Sequence, residues 1–252
     1  MLPGIGTGVN VLTVLAGSTV GVLLGHRLPE RTRKVVTDGL GLVTLLIAGT
    51  SAAHVGDRVL GDAVGSSAPM LIVLGSILIG GITGSLLRIE DRLESFGGLL
   101  QRAAVRRFGA GGSSEARERF IQGFVISSLV FCVGPLTILG SINEGLGNGA
   151  DQLLLKSALD GFAAIAFAAS FGWGVGASVL ALIVIQGGLT ALGAGLGSFV
   201  PEAHLSALTA TGGLLLVGVA LRLLDLKQVK VADLLPALLV APLLTELVVQ
   251  LR

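Results

Sequence analysis

A lysine and an aspartate in an otherwise apolar stretch are the residues best suited to chemistry in this chain. Lys156 and Asp160 are four residues apart, so on a helix they share one face. At 1.5 Å per residue, Asp160 falls roughly 10 Å into its predicted apolar helix. A carboxylate at such a depth costs about 2.5–3.5 kcal/mol and usually faces a protein interior or an aqueous path. The pair indicates either a coupling-ion or proton site, or an intrahelical ion pair whose lysine reaches the headgroups.

A glycine followed by a proline interrupts the preceding apolar stretch. Gly134 and Pro135 predict a kink or an unwound segment, because proline lacks a backbone donor and clashes with the preceding turn. Ser128 and Thr137 add hydroxyl groups beside this break. Broken membrane helices line cavities and bind solutes through freed backbone groups, although a kink can also serve packing alone.

Three further polar residues, Asn143, Glu144 and Asn10, are candidates for the same site, and Gln186 is a secondary candidate. Asn143 and Glu144 precede a glycine-rich loop, where a carboxylate either attracts cations to a mouth or is an ordinary loop acid. Asn10 and Gln186 are lone uncharged polar residues in apolar stretches. Such residues usually bond to a neighbouring helix.

Two other carboxylates are secondary candidates. Asp38 lies near the start of its apolar stretch, where a surface role is favoured. Glu246 lies deep in the last apolar stretch, yet it is also close enough to the C-terminus to reach the interface.

The composition of the chain indicates which kind of structural element holds these residues in place. Of the 252 residues, 52% are hydrophobic and 13% are charged, and the mean hydropathy is +0.88. Water does not tolerate that much exposed apolar surface, and a net charge of +1 gives no bulk attraction to nucleic acid. These values exclude a disordered chain, almost any soluble fold and a charge-driven nucleic-acid binder. The partner that they predict is the lipid bilayer.

Eight stretches are long enough to cross a bilayer, since a helix needs about 20 apolar residues to do so. The predicted fold is therefore all-α, a polytopic transmembrane bundle forming a single domain over residues 1–252. The predicted spans are Gly4–Gly25, Val35–Val55, Pro69–Leu87, Phe120–Ile142, Leu153–Gly174, Ala177–Val200, Leu205–Leu224 and Val231–Leu251.

Basic residues alternate between the loops that join these spans. The first, third and seventh loops hold four, seven and three of the 17 Lys and Arg, whereas the even loops and the termini hold only Arg58 and Arg252. Because cytoplasmic loops collect Lys and Arg, both termini are predicted to lie outside the cytoplasm. Segment 88–119 is predicted to be a cytoplasmic loop in which Leu93–Phe108 forms an amphipathic helix on the membrane surface, or alternatively a solvated connector.

Short repeats suggest internal symmetry and close helix packing. Lys34–Gly39 and Lys156–Gly161 both read Lys-x-x-x-Asp-Gly, and they open spans that run in opposite directions. This match predicts two inverted three-helix units, a common plan in secondary transporters; the alternative is a shared way of starting helices. Glycines four residues apart predict close helix contacts, which are also compatible with a homodimer. They are Gly17, Gly21 and Gly25 in the first span, and Gly80 and Gly84 in the third.

Signatures of an enzyme are missing from the sequence. The three histidines form no metalloprotease motif, there is no nucleophile motif, and a single cysteine cannot form an internal disulfide. We therefore predict no enzymatic activity and no cofactor, and the sequence assigns no metal.

The central run Phe131–Leu146, followed by Lys156–Gly161, resembles the YqgA/YdfK-like family of bacterial inner-membrane proteins. Asn10, Leu28–Arg31 and Ala232–Leu239 fit the same family. The resemblance covers nearly the whole chain and implies a bacterial plasma-membrane location. It implies no activity, because the family is a domain of unknown function that is commonly described as transporter-like.

The leading hypothesis is a secondary transporter of a small solute or ion. Its site would lie between the Gly134–Pro135 break and Asp160, with Lys156 tuning the charge and Glu144 at the mouth. The alternative is a non-transporting scaffold or partner-binding membrane protein, in which Lys156 and Asp160 form a structural ion pair.

Overall fold

The computed structural model describes residues 4–25, 29–108, 114–132, 135–196 and 201–251. Every regular element in these ranges is helical, since a helix satisfies its own backbone groups in lipid. The α-helices are α1 (Ile5–Gly25), α2 (Glu30–Ala52), α3 (Arg58–Val64), α4 (Ala68–Leu87), α5 (Ile89–Phe108), α6 (Ser114–Cys132), α7 (Pro135–Gly145), α8 (Asp151–Phe171), α9 (Gly174–Ala177), α10 (Val179–Leu196), α11 (Glu202–Leu223) and α12 (Ala237–Gln250). The prediction of an all-α fold is confirmed.

The described helices supply seven or eight membrane spans. Seven segments are long and apolar enough to cross a bilayer. These segments are Ile5–Gly25, Glu30–Val64, Ala68–Leu87, Asp151–Phe171, Gly174–Gly195, Glu202–Leu223 and Val231–Gln250. Helices α6 and α7 form a broken pair, bent by 72°, which makes an eighth span if the pair crosses once. The prediction of about eight spans agrees with this count.

The described residues group into two compact units. Unit 1 contains Met1–Leu40, Asp91–Cys132 and Leu136–Gly197, and unit 2 contains Gly41–Glu90, Val133–Pro135 and Ser198–Arg252. Unit 1 therefore holds α1, most of α5 and α6 to α10, whereas unit 2 holds α3, α4, α11 and α12. All of the leading candidate site residues that the structure describes, apart from Pro135, fall in unit 1.

In unit 1, α1 and α8 pack side by side and run in the same direction. Gly17, Gly21 and Gly25 of α1 lie against the backbone carbonyls of Gly161, Ile165 and Ala169 of α8, in the same order along both helices. Spans alternate in direction, so two parallel spans have an odd number of crossings between them. Spans α2 and α4 supply two of these crossings, so the α6–α7 pair supplies the third. This direction favours eight spans over seven.

In unit 2, α4 packs against α12 and the 3₁₀ turn Val231–Leu234 that precedes α12. Gly80 contacts Ala237, and Gly84 contacts the carbonyl of Asp233, so the predicted close packing of the second glycine pair is confirmed. The neighbouring core consists of Leu60, Val64, Ile72, Ala203, Ala207 and Ala241.

Large apolar side chains point away from both units. Leu46, Leu71 and Leu86 of the first half and Val184 and Leu239 of the second are all more than three-fifths exposed. Residues of this kind, spread along long apolar helices, match a surface that faces lipid.

Two predicted boundaries need correction. Helix α2 begins at Glu30 rather than Val35, so Arg31 and Lys34 lie on the first turns of a helix and not in a loop. Helix α5 begins at Ile89, directly after Arg88 ends α4 in the left-handed conformation (φ 51°). The predicted surface helix is therefore longer than Leu93–Phe108, and its place on a membrane surface stays a prediction.

Within each unit, the span ends that are predicted to lie on the cytoplasmic side are close together. In unit 1, the start of α2, the start of α6 and the end of α8 line one surface depression. In unit 2, the start of α5 contacts the end of α11 and the turn before α12 through Glu90, Arg222 and Ala232. This grouping agrees with the alternation of the spans, whereas the side on which the termini lie stays a prediction.

Candidate functional site

The Lys156–Asp160 pair lies inside unit 1. The ammonium group of Lys156 donates to Asp160 Oδ2 and forms an ion pair with it. Lys156 is 5% exposed and Asp160 is 8% exposed, so the lysine does not reach the surface, as the snorkelling alternative would require. Asp160 is the tenth residue of the 21-residue helix α8. The carboxylate therefore sits near the middle of its span.

Two buried amides complete a cluster around Asp160. Asn10 Nδ2 donates to Asp160 Oδ2 and to Gln186 Oε1, at 2.9 Å in both cases. Both amide side chains are fully buried. Because a carboxylate only accepts hydrogen bonds, the amide nitrogen of Asn10 has to face Asp160. We call Asn10, Lys156, Asp160 and Gln186 the central cluster.

Small residues bring the central cluster together. With glycines at 17, 21 and 25, α1 lies directly on the backbone of α8, which lets the short side chain of Asn10 reach Asp160. Without that close approach, an asparagine on α1 could not bridge α8 and α10. The glycines were predicted to serve helix contact, and in the structure they also position the central cluster.

Glu144 forms a second polar contact with α1, about one helical turn before Asn10. Its Oε1 accepts the backbone N–H of Gly6 at 2.6 Å, and it is 4% exposed. That N–H is one of the first four of α1, which lack partners within the helix, and a carboxylate is favoured at this positive end of the helix dipole. Thr190 Oγ1 lies 3.4 Å from Glu144 Oε2 and 3.1 Å from the carbonyl of Gln186. Thr190, which the sequence analysis missed, thus links the second contact to the central cluster.

The predicted break between α6 and α7 is present. The two helices are bent by 72°, with Pro135 as the first residue of α7; Gly134 lies outside the described residues. The hydroxyl of Thr137 donates to the carbonyl of Phe131 at 3.0 Å and so satisfies an acceptor in the last turn of α6. Ser128 is buried on α6, four residues before that helix ends.

Buried polar atoms without a hydrogen-bond partner concentrate in unit 1. Eight such side-chain atoms occur among the described residues, and seven of them are in this unit. They are Thr7 Oγ1, Asn10 Oδ1, Ser18 Oγ, Ser127 Oγ, Ser128 Oγ, Ser141 Oγ and Gln186 Nε2. An unpaired buried polar group costs about 1–3 kcal/mol. Two of these atoms belong to the central cluster, which therefore has hydrogen-bonding capacity left for a water molecule or a ligand.

The other predicted residues do not join the central cluster. Asn143 is half-buried and donates to Gln152 at 3.2 Å. Asp38 is half-buried on α2, outside the hydrogen bonds described for the cluster. Glu246 belongs to unit 2, where it contacts His204 at 3.0 Å; its side chain is 49% exposed, which fits the alternative that it reaches the interface better than a buried carboxylate.

Unit 2 contains a buried ion pair that the sequence analysis missed. Glu90 is 2% exposed; it accepts from Arg222 and from the backbone N–H of Ala232 at 2.7 Å. Its own N–H donates to Asp233 Oδ1 at 2.9 Å. The sequence analysis did not single out Glu90 because segment 88–119 contains many other charged residues. The one signal that could have identified Glu90 is its position directly after the end of a predicted span.

We expect Glu90→Gln to lower the free energy of unfolding of the protein by about 2 kcal/mol, because the variant leaves the buried Arg222 guanidinium without a counter-ion. Glu94→Gln on the exposed part of the same helix is the matched control and should change little. Reversible unfolding in mixed micelles measures both. Equal stability of the two variants would contradict a structural role for the Glu90–Arg222 pair.

Comparison with known proteins places the chain in a family. The model of a family described as "Protein of unknown function (DUF554)" matches residues 5–246. The chain belongs to this family. The match confirms the resemblance seen in the sequence, and it covers every described residue of the central cluster.

Two relatives match the chain along almost their full length. The "Uncharacterized protein YqgA" of Escherichia coli (strain K12) is 31% identical over 237 residues, covering 94% of this chain and 94% of the relative. The "Uncharacterized membrane protein YdfK" of Bacillus subtilis (strain 168) is 26% identical over 238 residues, covering 94% and 93%. No solved structure matches the chain. The long apolar helices and these relatives together identify a membrane protein of an uncharacterised family.

Proposed function

We propose that this protein is a secondary transporter of a small solute or ion across the bacterial plasma membrane, with Asp160 binding the transported or coupled species. One observation supports the proposal above all. A carboxylate buried near the middle of a span is bonded to Lys156 and Asn10, while two amide atoms of the same cluster have no partner.

Packing alone does not explain why four polar side chains are buried together in the central cluster. A buried ion pair is often no more stabilising than apolar residues of similar volume, and ionisable groups inside spans usually mark ion or substrate paths. Four polar side chains from three helices meet here, with unused donors and acceptors among them. A site for a ligand accounts for both the location of the cluster and its unused hydrogen-bonding capacity.

The broken span supports the same function. Transporters often place their sites beside discontinuous helices, and α6 carries Ser127 and Ser128, with unpartnered hydroxyls, in its last two turns. The inverted three-helix repeat predicted from the Lys-x-x-x-Asp-Gly match belongs to this proposal, and so does the placement of both termini outside the cytoplasm.

Flux through reconstituted vesicles tests the proposal. The panel contains sodium, potassium, chloride, phosphate, a neutral amino acid and a polyamine; the readouts are currents on a solid-supported membrane and the fluorescence of a pH dye in the lumen. We expect the wild type to move one class, and Asp160→Asn to fall to the level of empty vesicles while remaining in the membrane. Asp151→Asn, an exposed site at the start of the same helix, should keep the wild-type flux.

Normal flux in Asp160→Asn would remove Asp160 from the mechanism. Absence of flux for every class, in vesicles shown to contain folded wild-type protein, would favour a scaffold or partner-binding protein instead. Eluting as one symmetrical peak in size-exclusion chromatography is the folding criterion for each variant.

A further inference from the structure

The ammonium group of Lys156 occupies the position of a cation on Asp160. It donates directly to Asp160 Oδ2, the same oxygen that accepts from Asn10. The carbonyl oxygen of that Asn10 amide is buried and has no partner. A carboxylate and an amide oxygen are both hard oxygen ligands of the kind that small cations prefer.

The geometry points to exchange of one monovalent cation for one proton at Asp160, with Lys156 as the group that gives up the proton. This inference rests on the proposed function and names the species that the site takes. The incoming cation binds Asp160 in place of the ammonium group, and the carbonyl oxygen of Asn10 is available as a second ligand.

Charge balance determines the stoichiometry. Before binding, Lys156 and Asp160 are together neutral. A displaced ammonium group without a counter-ion is strongly disfavoured in a buried site, so the lysine becomes a neutral amine and one proton leaves to water. The cation and the carboxylate are then again neutral together. A divalent cation would leave a buried net charge, and for that reason we assign a monovalent one.

Few other groups near the pair can titrate. Helix α1 contributes the amide of Asn10, and α9 (Gly174–Ala177) carries no ionisable side chain. Helix α6 contributes the thiol of Cys132, which is buried at the end of that helix. Glu144 on α7 is occupied by the N-terminus of α1. Among these described neighbours, the Lys156–Asp160 pair is the natural source of a proton that is released on binding.

Two kinds of ligand share this chemistry. One is an alkali-metal ion, and the other is the primary ammonium group of an organic solute, which replaces the lysine ammonium like for like. Separate titrations with sodium, potassium, lithium and methylammonium chlorides distinguish them. Tetramethylammonium chloride, which carries a charge but no N–H and is too bulky to coordinate closely, is the control for ionic strength.

Proton release by the purified protein in weakly buffered detergent solution tests the inference directly. We expect at least one of these cations to release about one proton per protein molecule, measured with a soluble pH dye. Because one proton leaves for each cation that binds, the apparent Kd should fall about tenfold for each unit of rising pH. Release by methylammonium alone would identify an ammonium-bearing solute, and release by alkali ions alone would identify a metal ion.

Variants identify the group that loses the proton. Asp160→Asn should neither bind the cation nor release a proton. Lys156→Arg keeps the positive charge but cannot give up its proton, so it should release none, while Asp151→Asn should behave as the wild type. Wild-type release from Lys156→Arg, or no release from the wild type with any of the four cations, would overturn the inference.

This experiment separates the inference from the proposed function. If the wild type releases no proton but shows flux that depends on Asp160, the exchange is wrong and the transporter remains. If it releases a proton on cation binding but no compound moves, the site is right and the transport proposal fails. The wild-type measurement decides the inference even if a variant fails to fold.

Discussion

Replacing Gly21 by alanine is expected to push α1 away from α8 and to lower the free energy of unfolding by about 2–3 kcal/mol. The added Cβ would overlap the backbone carbonyl of Ile165 and lie 2.8 Å from Ala168 Cβ. Neither atom belongs to a flexible side chain, so only a shift of a whole helix relieves the overlap. Reversible unfolding in mixed micelles measures the change.

Gly8→Ala on the same helix is the matched control. Nothing lies within 4 Å of a Cβ built at Gly8, and alanine favours the helix over glycine by up to about 1 kcal/mol. This variant should therefore be as stable as the wild type or slightly more stable. Unchanged stability of Gly21→Ala would mean that α1 and α8 are less closely packed than the glycine contacts indicate.

The second prediction concerns the buried ion pair. Removing one partner leaves the other uncompensated, so Lys156→Met and Asp160→Asn should each lower the free energy of unfolding by about 3–5 kcal/mol. The double variant should return to within about 1 kcal/mol of the wild type, because both charges are gone and an Asn at position 160 still accepts from Asn10. Unfolding of all four proteins under one condition completes the cycle.

Comparing stability with flux separates a structural pair from a functional one. If the pair serves only the fold, the double variant should regain flux together with stability. If Asp160 binds the transported species, the double variant should be as stable as the wild type and still inactive. If the double variant instead loses as much stability as the two single variants together, Lys156 and Asp160 do not act as a pair.

The spans were the most predictable part of the fold, because hydropathy and the alternation of basic loops depend only on local composition. Local signals failed at the boundaries: Glu30, Arg31 and Lys34 look like a loop in sequence but start a helix. The division into two units was not predicted, because it depends on contacts between helices far apart in the chain.

The site was predictable residue by residue but not as an arrangement. Some site residues can be recognised in the sequence because they are charges or a proline in apolar surroundings. These are Lys156, Asp160 and Pro135. Asn10 donates to both Asp160 and Gln186 only because α1 lies closely on α8. The glycine spacing indicates close contact with some helix but not with which one. Glu144 was assigned to a mouth because a glycine-rich loop follows it; in the structure it is helical, buried and bonded to Gly6.

The partners of α1 also determine when this protein can complete its assembly. Asn10 and Asp160 are separated by 150 residues in the chain, and Gly6 and Glu144 by 138. At about 5–20 residues per second, synthesis needs roughly 7–30 s to supply those partners after α1 has been made. Throughout that time the side-chain amide of Asn10 and the backbone N–H of Gly6 lack their native acceptors. The first helix of the chain is therefore among the last to reach its native contacts, and assembly of unit 1 cannot finish before α10 has been made.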